Sequence, residues 1–184
     1  MTAEPTRAIR ILAISGSLRA ASSNSAVLRA AIALAPPEVE IVIYDGIGTL
    51  PHFNPDLEDC QPAGVLDFRA QIQTADGVLI ACPEYAHGVP GTMKNALDWV
   101  VGSSEFVGKP VALINAAPRA SLAQASLAET LGVMTAELIA EASIKLPLPH
   151  NRIDAAGIIG DASLSTLLRS AIAVFAQAIS SKPH

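Results

Sequence analysis

Five side chains within eight positions of this chain could hold an anion. The stretch Ile14-Ser15-Gly16-Ser17-Leu18-Arg19-Ala20-Ala21-Ser22-Ser23-Asn24 carries three hydroxyls at Ser17, Ser22 and Ser23, an amide at Asn24 and a guanidinium at Arg19. It follows the apolar run IRILAI and precedes SAVLRAAIALA, which has helical spacing. A helix beginning near Ser23 adds free backbone N–H groups and the positive end of its dipole. Together these groups match the three oxygens of a phosphate monoester, and the planar fork of Arg19 suits two of them at once. The plainer reading of the same residues is a helix cap, SSN before SAVL, with Arg19 in solvent. The loop is neither GxxxxGK[ST] nor GxGxxG, so the two commonest nucleotide-binding loops are absent.

A second stretch, Cys82-Pro83-Glu84-Tyr85-Ala86-His87-Gly88-Val89-Pro90-Gly91, could flank a flat heterocycle. Pro83 and Pro90 stiffen it, Gly88 and Gly91 let backbone approach a ligand, and Tyr85 offers an aromatic face. Glu84 is either a functional carboxylate or one half of an ion pair, with Lys94 or with a neighbouring subunit. His87 is a possible ligand contact, although a lone loop histidine is more often simply solvated. No second histidine or carboxylate is placed to complete a metal site. Neither Cys60 nor Cys82 begins the Cys-x5-Arg loop of a small tyrosine phosphatase. Cys82 ends an apolar run and reads as a small core residue.

These loops need a frame, and the chain supplies alternating short apolar runs and amphipathic segments. Strands are expected at 9–14, 39–44 (VEIVIY), 77–82 (GVLIAC), 109–115 (KPVALIN) and 142–146. Helices are expected at 26–35, 62–74, 90–101, 121–133 and 163–179, the fourth starting at a Ser121 cap. Val65, Leu66, Phe68 and Ile72 are available for packing on the second helix, and Met93, Leu97 and Val100 form a core stripe on the third. Lys94 and Asp98 stand one turn apart and can pair, and Trp99 is expected to pack at a helix or subunit interface. Strand–helix repetition predicts an α/β domain with a parallel sheet covered on both faces. Ligands of such sheets sit at the carboxyl ends of the strands, so the loops of interest are 15–24, 45–60, 83–90 and 116–121. Residues 1–184 read as one domain, with 1–7 a loose leader.

Composition narrows the classes. Charged residues make up 16% of the 184, against about 25% on average, and this predicts extra buried surface and self-association. The formal net charge is −5 and the 12 Lys and Arg are scattered, which argues against nucleic acid as a partner. No apolar stretch approaches the roughly 20 residues of a membrane span, and the start lacks a signal-peptide pattern. The expectation is a cytoplasmic protein with reduced thiols and no membrane partner.

GSLRAASSN after the first strand and PEYAHGVPGTMKNALDWV after the third resemble the paired motifs of the NADPH-dependent FMN reductase family. PHFNPDLE at 51–58 resembles a third segment of that family, and the likeness runs over roughly 9–150. The resemblance implies a flavodoxin-like fold, a five-stranded parallel sheet of order 2-1-3-4-5 with helices on both faces. It also implies FMN as cofactor, NADPH or NADH as co-substrate, a small-molecule electron acceptor (quinone, azo, chromate or flavin), and a dimer or tetramer. By position, Ser17, Arg19, Ser22 and Asn24 would hold the FMN phosphate. Pro83, Glu84, Tyr85, Ala86, His87 and Gly88 would line the flavin ring, largely through backbone groups. The family usually has Asn where this chain has Ala86, which removes one side-chain hydrogen-bonding group. Asn54 would shape the pocket rim, and Arg119 would either approach dinucleotide phosphates or face solvent.

With hydride chemistry carried by the flavin, no catalytic side chain is expected, and the absence of a Ser/His/Asp set or a carboxylate pair agrees with that. The rival reading is a flavodoxin-type electron carrier that binds FMN without oxidising NAD(P)H directly. A third is a binding module that has lost its flavin.

Overall fold

The structure, a computed structural model, describes residues 7–117 and 121–182. Five parallel strand positions form its centre. β1 (Ile9–Ser15) lies between β2 (Val39–Ile43) and β3 (Gly77–Ala81), and β4 (Pro110–Asn115) pairs with β3 on the far side. The edge next to β4 is made of two short pieces, β5 (Glu137–Leu138) and β6 (Ile144–Lys145), both parallel to β4. The order is therefore 2-1-3-4-5, as expected, with the fifth position broken.

The expected last strand, 142–146, is corrected by that break. A 3-10 turn at Ala140–Ala142 lifts the chain off the sheet. The Ser143 hydroxyl fills the gap: it accepts the Leu113 N–H at 3.0 Å and donates to the Ile139 carbonyl at 2.9 Å. A β4 amide that would otherwise lack its ladder partner is thus satisfied by a side chain.

Side-chain alternation along the strands divides the core in two. Ile11, Ala13, Leu79, Ala81, Ala112 and Ile114 face α1 (Ser23–Leu34), α5 (Ala155–Gly160) and α6 (Ala162–Ser180). Leu12, Ile14, Val78, Ile80, Val111 and Leu113 face α2 (Ala63–Thr74), α3 (Gly91–Asp98) and α4 (Leu122–Val133). Strands covered on both sides explain the unbroken apolar runs in the sequence. The Val65, Phe68, Ile72 stripe and the Met93, Leu97, Val100 stripe are buried as expected, whereas Leu66 points outward, 54% exposed. α6 is long and apolar enough to span a bilayer by composition, but Leu168, Ile172, Phe175 and Ile179 pack it into the sheet core. Gly77 permits this approach: a Cβ there would lie 2.7 Å from Ile179 Cδ1.

The α5 helix and the 3-10 turns at Gly46–Thr49 and Pro55–Cys60 lie where the sequence pattern indicated only loop. Trp99 is buried by the stretch between the two 3-10 turns. Its indole N–H donates to the Pro51 carbonyl at 2.8 Å, and Phe53 meets its ring edge-on at 5.2 Å.

Candidate functional site

The β1–α1 loop and the β3–α3 loop meet at the carboxyl end of the sheet. Their meeting is enforced by backbone and packing. The Gly16 N–H donates to the Ala81 carbonyl at 2.9 Å, tying the first loop to the end of β3. Cys82 then packs against Gly16 so closely that a Cβ on Gly16 would lie 2.5 Å from the Cys82 Sγ. Burial pushes the Cys82 thiol up to about 12. It is a packing residue at neutral pH, since the thiolate is the reactive form.

Between the loops lies a cavity of about 190 Å³, lined by Ser17, Arg19, Ser22, Ser23, Asn24, Pro83, Glu84 and Tyr85. Ala116, Ala117 and Asn151 complete it. Seven of the ten residues singled out in the sequence are therefore brought together. Ala86, His87 and Gly88 are not in this lining; they form the tip of a turn beyond it. Asn54 is not in it either: it caps the Pro55–Cys60 turn, its side chain accepting the Asp56 N–H at 3.0 Å. Arg119 lies outside the described residues.

One end of the cavity is built by the start of α1. Ser22 is its N-cap, and its hydroxyl accepts the Ser25 N–H at 3.4 Å, so the capping reading of the serines holds for Ser22. The cap leaves room for more. Asn24 is buried, yet its Oδ1 has no partner among the described residues. That oxygen is an acceptor, so a phosphate would be met by the other end of the amide: Asn24 lines the cavity together with Arg19, Ser17 and Ser23, whose guanidinium and hydroxyls donate, as does the Asn24 Nδ2. This donor set fits a phosphate group.

The other end is held by Glu84. Its carboxylate accepts the Ala123 N–H at 2.9 Å and meets His87 Nδ1 at 3.3 Å. The expected pairing with Lys94 does not form, because Lys94 reaches Asp98 on its own helix. Nor does the Ser121 hydroxyl cap α4, as the sequence led us to expect. Glu84 does so from another loop, where its charge also meets the positive end of the helix dipole. The Ala123 N–H first, with smaller help from His87 and the Leu122 N–H, outweighs desolvation and holds the Glu84 carboxyl below its usual value of 4.5.

Beyond Glu84 the chain turns back on itself. Tyr85 and Gly88 exchange both backbone hydrogen bonds, at 3.1 and 2.9 Å. The two residues between them, Ala86 and His87, have φ of +49° and +63°. This is the backbone of a type I′ hairpin turn, a conformation that favours Asn and Gly. Tyr85 is 56% exposed beside the cavity and offers a free aromatic face. No group of three or more His, Cys, Asp or Glu among the described residues could hold a metal ion.

Asn151, Ala116 and Ala117 were not singled out as site residues. The β4–α4 loop was flagged as a whole, and Asn115 shapes it by accepting the Ala117 N–H at 2.8 Å. Asn151 had one available signal, its place in the loop that follows the last strand of a parallel sheet.

Residues 9–143 match the family described as NADPH-dependent FMN reductase. An NAD(P)H-dependent FMN reductase of Pseudomonas aeruginosa is 36% identical over 167 residues, 88% of this chain and 90% of that protein. A 2-hydroxy-1,4-benzoquinone reductase of a Burkholderia species is 35% identical over 83% of this chain and 86% of that protein. Among solved structures, FerB of Paracoccus denitrificans, a flavoenzyme NAD(P)H:acceptor oxidoreductase, superposes with a TM-score of 0.75. It is 31% identical, over 94% of this chain and 97% of that one.

Proposed function

The chain belongs to the NADPH-dependent FMN reductase family, and from that premise we propose that the 190 Å³ cavity between its two loops is the FMN site. It is an oxidoreductase that passes electrons from a nicotinamide nucleotide through FMN to an acceptor. The electron-carrier and flavin-free readings are thereby set aside. The observation that carries the site assignment is that Ser17, Arg19 and Asn24 of the first loop line one cavity with Pro83, Glu84 and Tyr85 of the second.

In this reading Arg19, Asn24, Ser17 and the first-turn N–H groups of α1 bind the phosphate. Pro83, Glu84 and Tyr85 border the ring, and the 86–88 turn stands at its outer edge. Ala116 and Ala117 wall the opposite side, and Asn151 adds an amide. FMN, when bound, supplies the two-electron chemistry. The protein's part is to anchor one end, orient the other, and leave one ring face open beside Tyr85. Glu84 contributes by fixing the ring loop against α4, its carboxylate already committed to the Ala123 N–H.

We assign a quinone as acceptor, since one relative of matching length is named for a benzoquinone. We also propose that 1–184 is one FMN-binding domain of the cytoplasm, where its two free thiols stay reduced. Self-association into a dimer or tetramer would cover Leu122 and Val133, which α4 leaves 54% and 69% exposed.

The test is direct. Purified protein should bind FMN and oxidise NAD(P)H when a benzoquinone is present. Arg19→Ala should raise the FMN Kd about tenfold, the lower end for a charge-assisted hydrogen bond because Arg19 is exposed. A chain that takes up no FMN, or an Arg19→Ala variant with unchanged FMN affinity, would refute the site.

A further inference from the structure

A second cavity, of about 250 Å³, lies on the β2 side of the β1–α1 loop. It shares Ser17 and Arg19 with the first but opens toward the end of β2. Arg19 and Arg29 both line it, with the hydroxyls of Ser17 and Ser25, and Asp45 stands at its β2 edge. Ser25 lies 3.0 Å from the Ser15 hydroxyl, so the two can hand donor and acceptor roles to each other.

The two arginines differ from most others in the chain. Arg7 pairs with Asp76, Arg69 with Glu105, Arg10 donates to Gln71 and Thr74, and Arg169 donates to the Leu34 carbonyl. The guanidinium groups of Arg19 and Arg29 meet no partner among the described residues. In a chain of net charge −5, two unmatched guanidinium groups on one cavity wall are a local excess of positive charge. The single carboxylate of Asp45 offsets only half of it, and once Arg19 serves the flavin phosphate the guanidinium left to this cavity is Arg29. Guanidinium forks and hydroxyl donors around a small cavity recognise a phosphate monoester.

We propose that this cavity holds the 2′-phosphorylated ribose of NADPH, with Arg29 as the residue that distinguishes NADPH from NADH. The inference rests on the reading above, in which the FMN phosphate occupies the other side of Arg19. Asp45 has a place in it as well. In Rossmann-type sites an acidic residue accepts from the ribose 2′-hydroxyl of NAD, whereas an arginine nearby accommodates the 2′-phosphate of NADP; here Asp45 leaves the 2′ position to Arg29. Asp45 follows the end of β2 and is set to accept from the 3′-hydroxyl, while Arg29 and Ser25 meet the phosphate.

The experiment is calorimetric titration of the FMN-loaded protein with adenosine 2′,5′-bisphosphate, AMP and inorganic phosphate. The bisphosphate should bind at least tenfold more tightly than AMP or phosphate. Arg29→Ala should abolish that difference, leave the FMN Kd unchanged, and lower kcat/KM about tenfold for NADPH and less than twofold for NADH. Equal binding of the bisphosphate and AMP by the unaltered protein overturns the proposal. So does phosphate binding as tightly as the bisphosphate, which would make this a free-anion site. Equal loss toward both nucleotides assigns the cavity to their shared pyrophosphate, and loss of FMN affinity assigns it to the flavin; either result overturns the proposal. Failure of the chain to take up FMN would refute the FMN reading instead, and titrating the flavin-free protein with the bisphosphate separates the two failures.

Discussion

The turn at 85–88 should be stabilised by replacing Ala86 with Asn. Both central residues occupy the left-handed region, with φ of +49° at Ala86 and +63° at His87, and neither is Gly or Asn. A residue with a Cβ carries about 1–2 kcal/mol of strain there, which Asn largely escapes through local hydrogen bonding. Two backbone hydrogen bonds between Tyr85 and Gly88 hold the turn in place despite this. Ala86→Asn should therefore gain about 1 kcal/mol. Ala86→Gly removes the same strain but frees the unfolded chain, which takes back about 0.4–1 kcal/mol, so its net gain should be smaller, about 0.5 kcal/mol. Ala86→Val, β-branched and forced to φ above zero, should lose more than 1 kcal/mol. The expected order is Asn above Gly and Ala, with Val lowest. Urea and thermal unfolding of the flavin-free protein measure this without the contribution a bound ligand adds by mass action. At this chain length 1 kcal/mol moves Tm by about 2–4 °C. An Asn variant no more stable than the parent, or a Val variant equal to it, would refute the assignment of strain to this turn.

Three further outcomes follow from the site's construction. Gly16→Ala places a Cβ 2.5 Å from the Cys82 Sγ and should cost about 1–3 kcal/mol, with weakened FMN binding. Gly16→Ala combined with Cys82→Ala should recover part of the loss, because the nearest remaining atoms lie at 3.3 Å; a double-mutant cycle in chemical unfolding that gives no coupling would contradict the packing. Glu84→Gln should destabilise the protein at neutral pH. Since the folded-state carboxyl titrates below its usual 4.5, the deficit relative to the parent should persist at pH 5 and shrink as pH falls below 4.5; a deficit independent of pH would remove the charge from the explanation. Iodoacetamide at pH 8 should label exposed Cys60 and spare Cys82, whose thiolate fraction is about one in 10⁴ with its pKa near 12. Equal labelling of both cysteines by mass spectrometry would count against the buried thiol.

Much of the frame is legible in VEIVIY, GVLIAC and KPVALIN, because strands covered on both faces must be apolar at consecutive positions. The β1–α1 loop stands out too, because hydroxyls, an amide and a guanidinium crowd into eight residues, and the structure brings them to one cavity. The broken edge strand is not legible, since the feature that permits it is one serine hydroxyl standing in for a backbone partner. Glu84 is misread from sequence for a similar reason: its partner is a backbone N–H 39 positions away, and a backbone group carries no sequence signal. The identity of residue 86 is also easy to misjudge. Read by resemblance alone, Ala86 in place of an Asn looks like a lost side-chain contact. The positive φ shows that such an Asn would serve the backbone first.

The ring loop thus has a rigid base and a strained tip. Its base is tied to the phosphate loop by the Gly16 to Ala81 hydrogen bond and the Cys82 contact, and to α4 by Glu84. These ties come from different elements and none uses a side chain that must change protonation near neutral pH. On the proposed assignment of the site, that suits a cofactor that carries the chemistry, where the protein would keep a fixed distance between an anchored phosphate and an oriented ring while electrons enter and leave. Ala86 and His87 lie outside those ties, at the solvent edge, where strain of about 1 kcal/mol can be borne without moving the base. The chain therefore has room to vary at the tip and little room at Gly16, where any added atom meets Cys82.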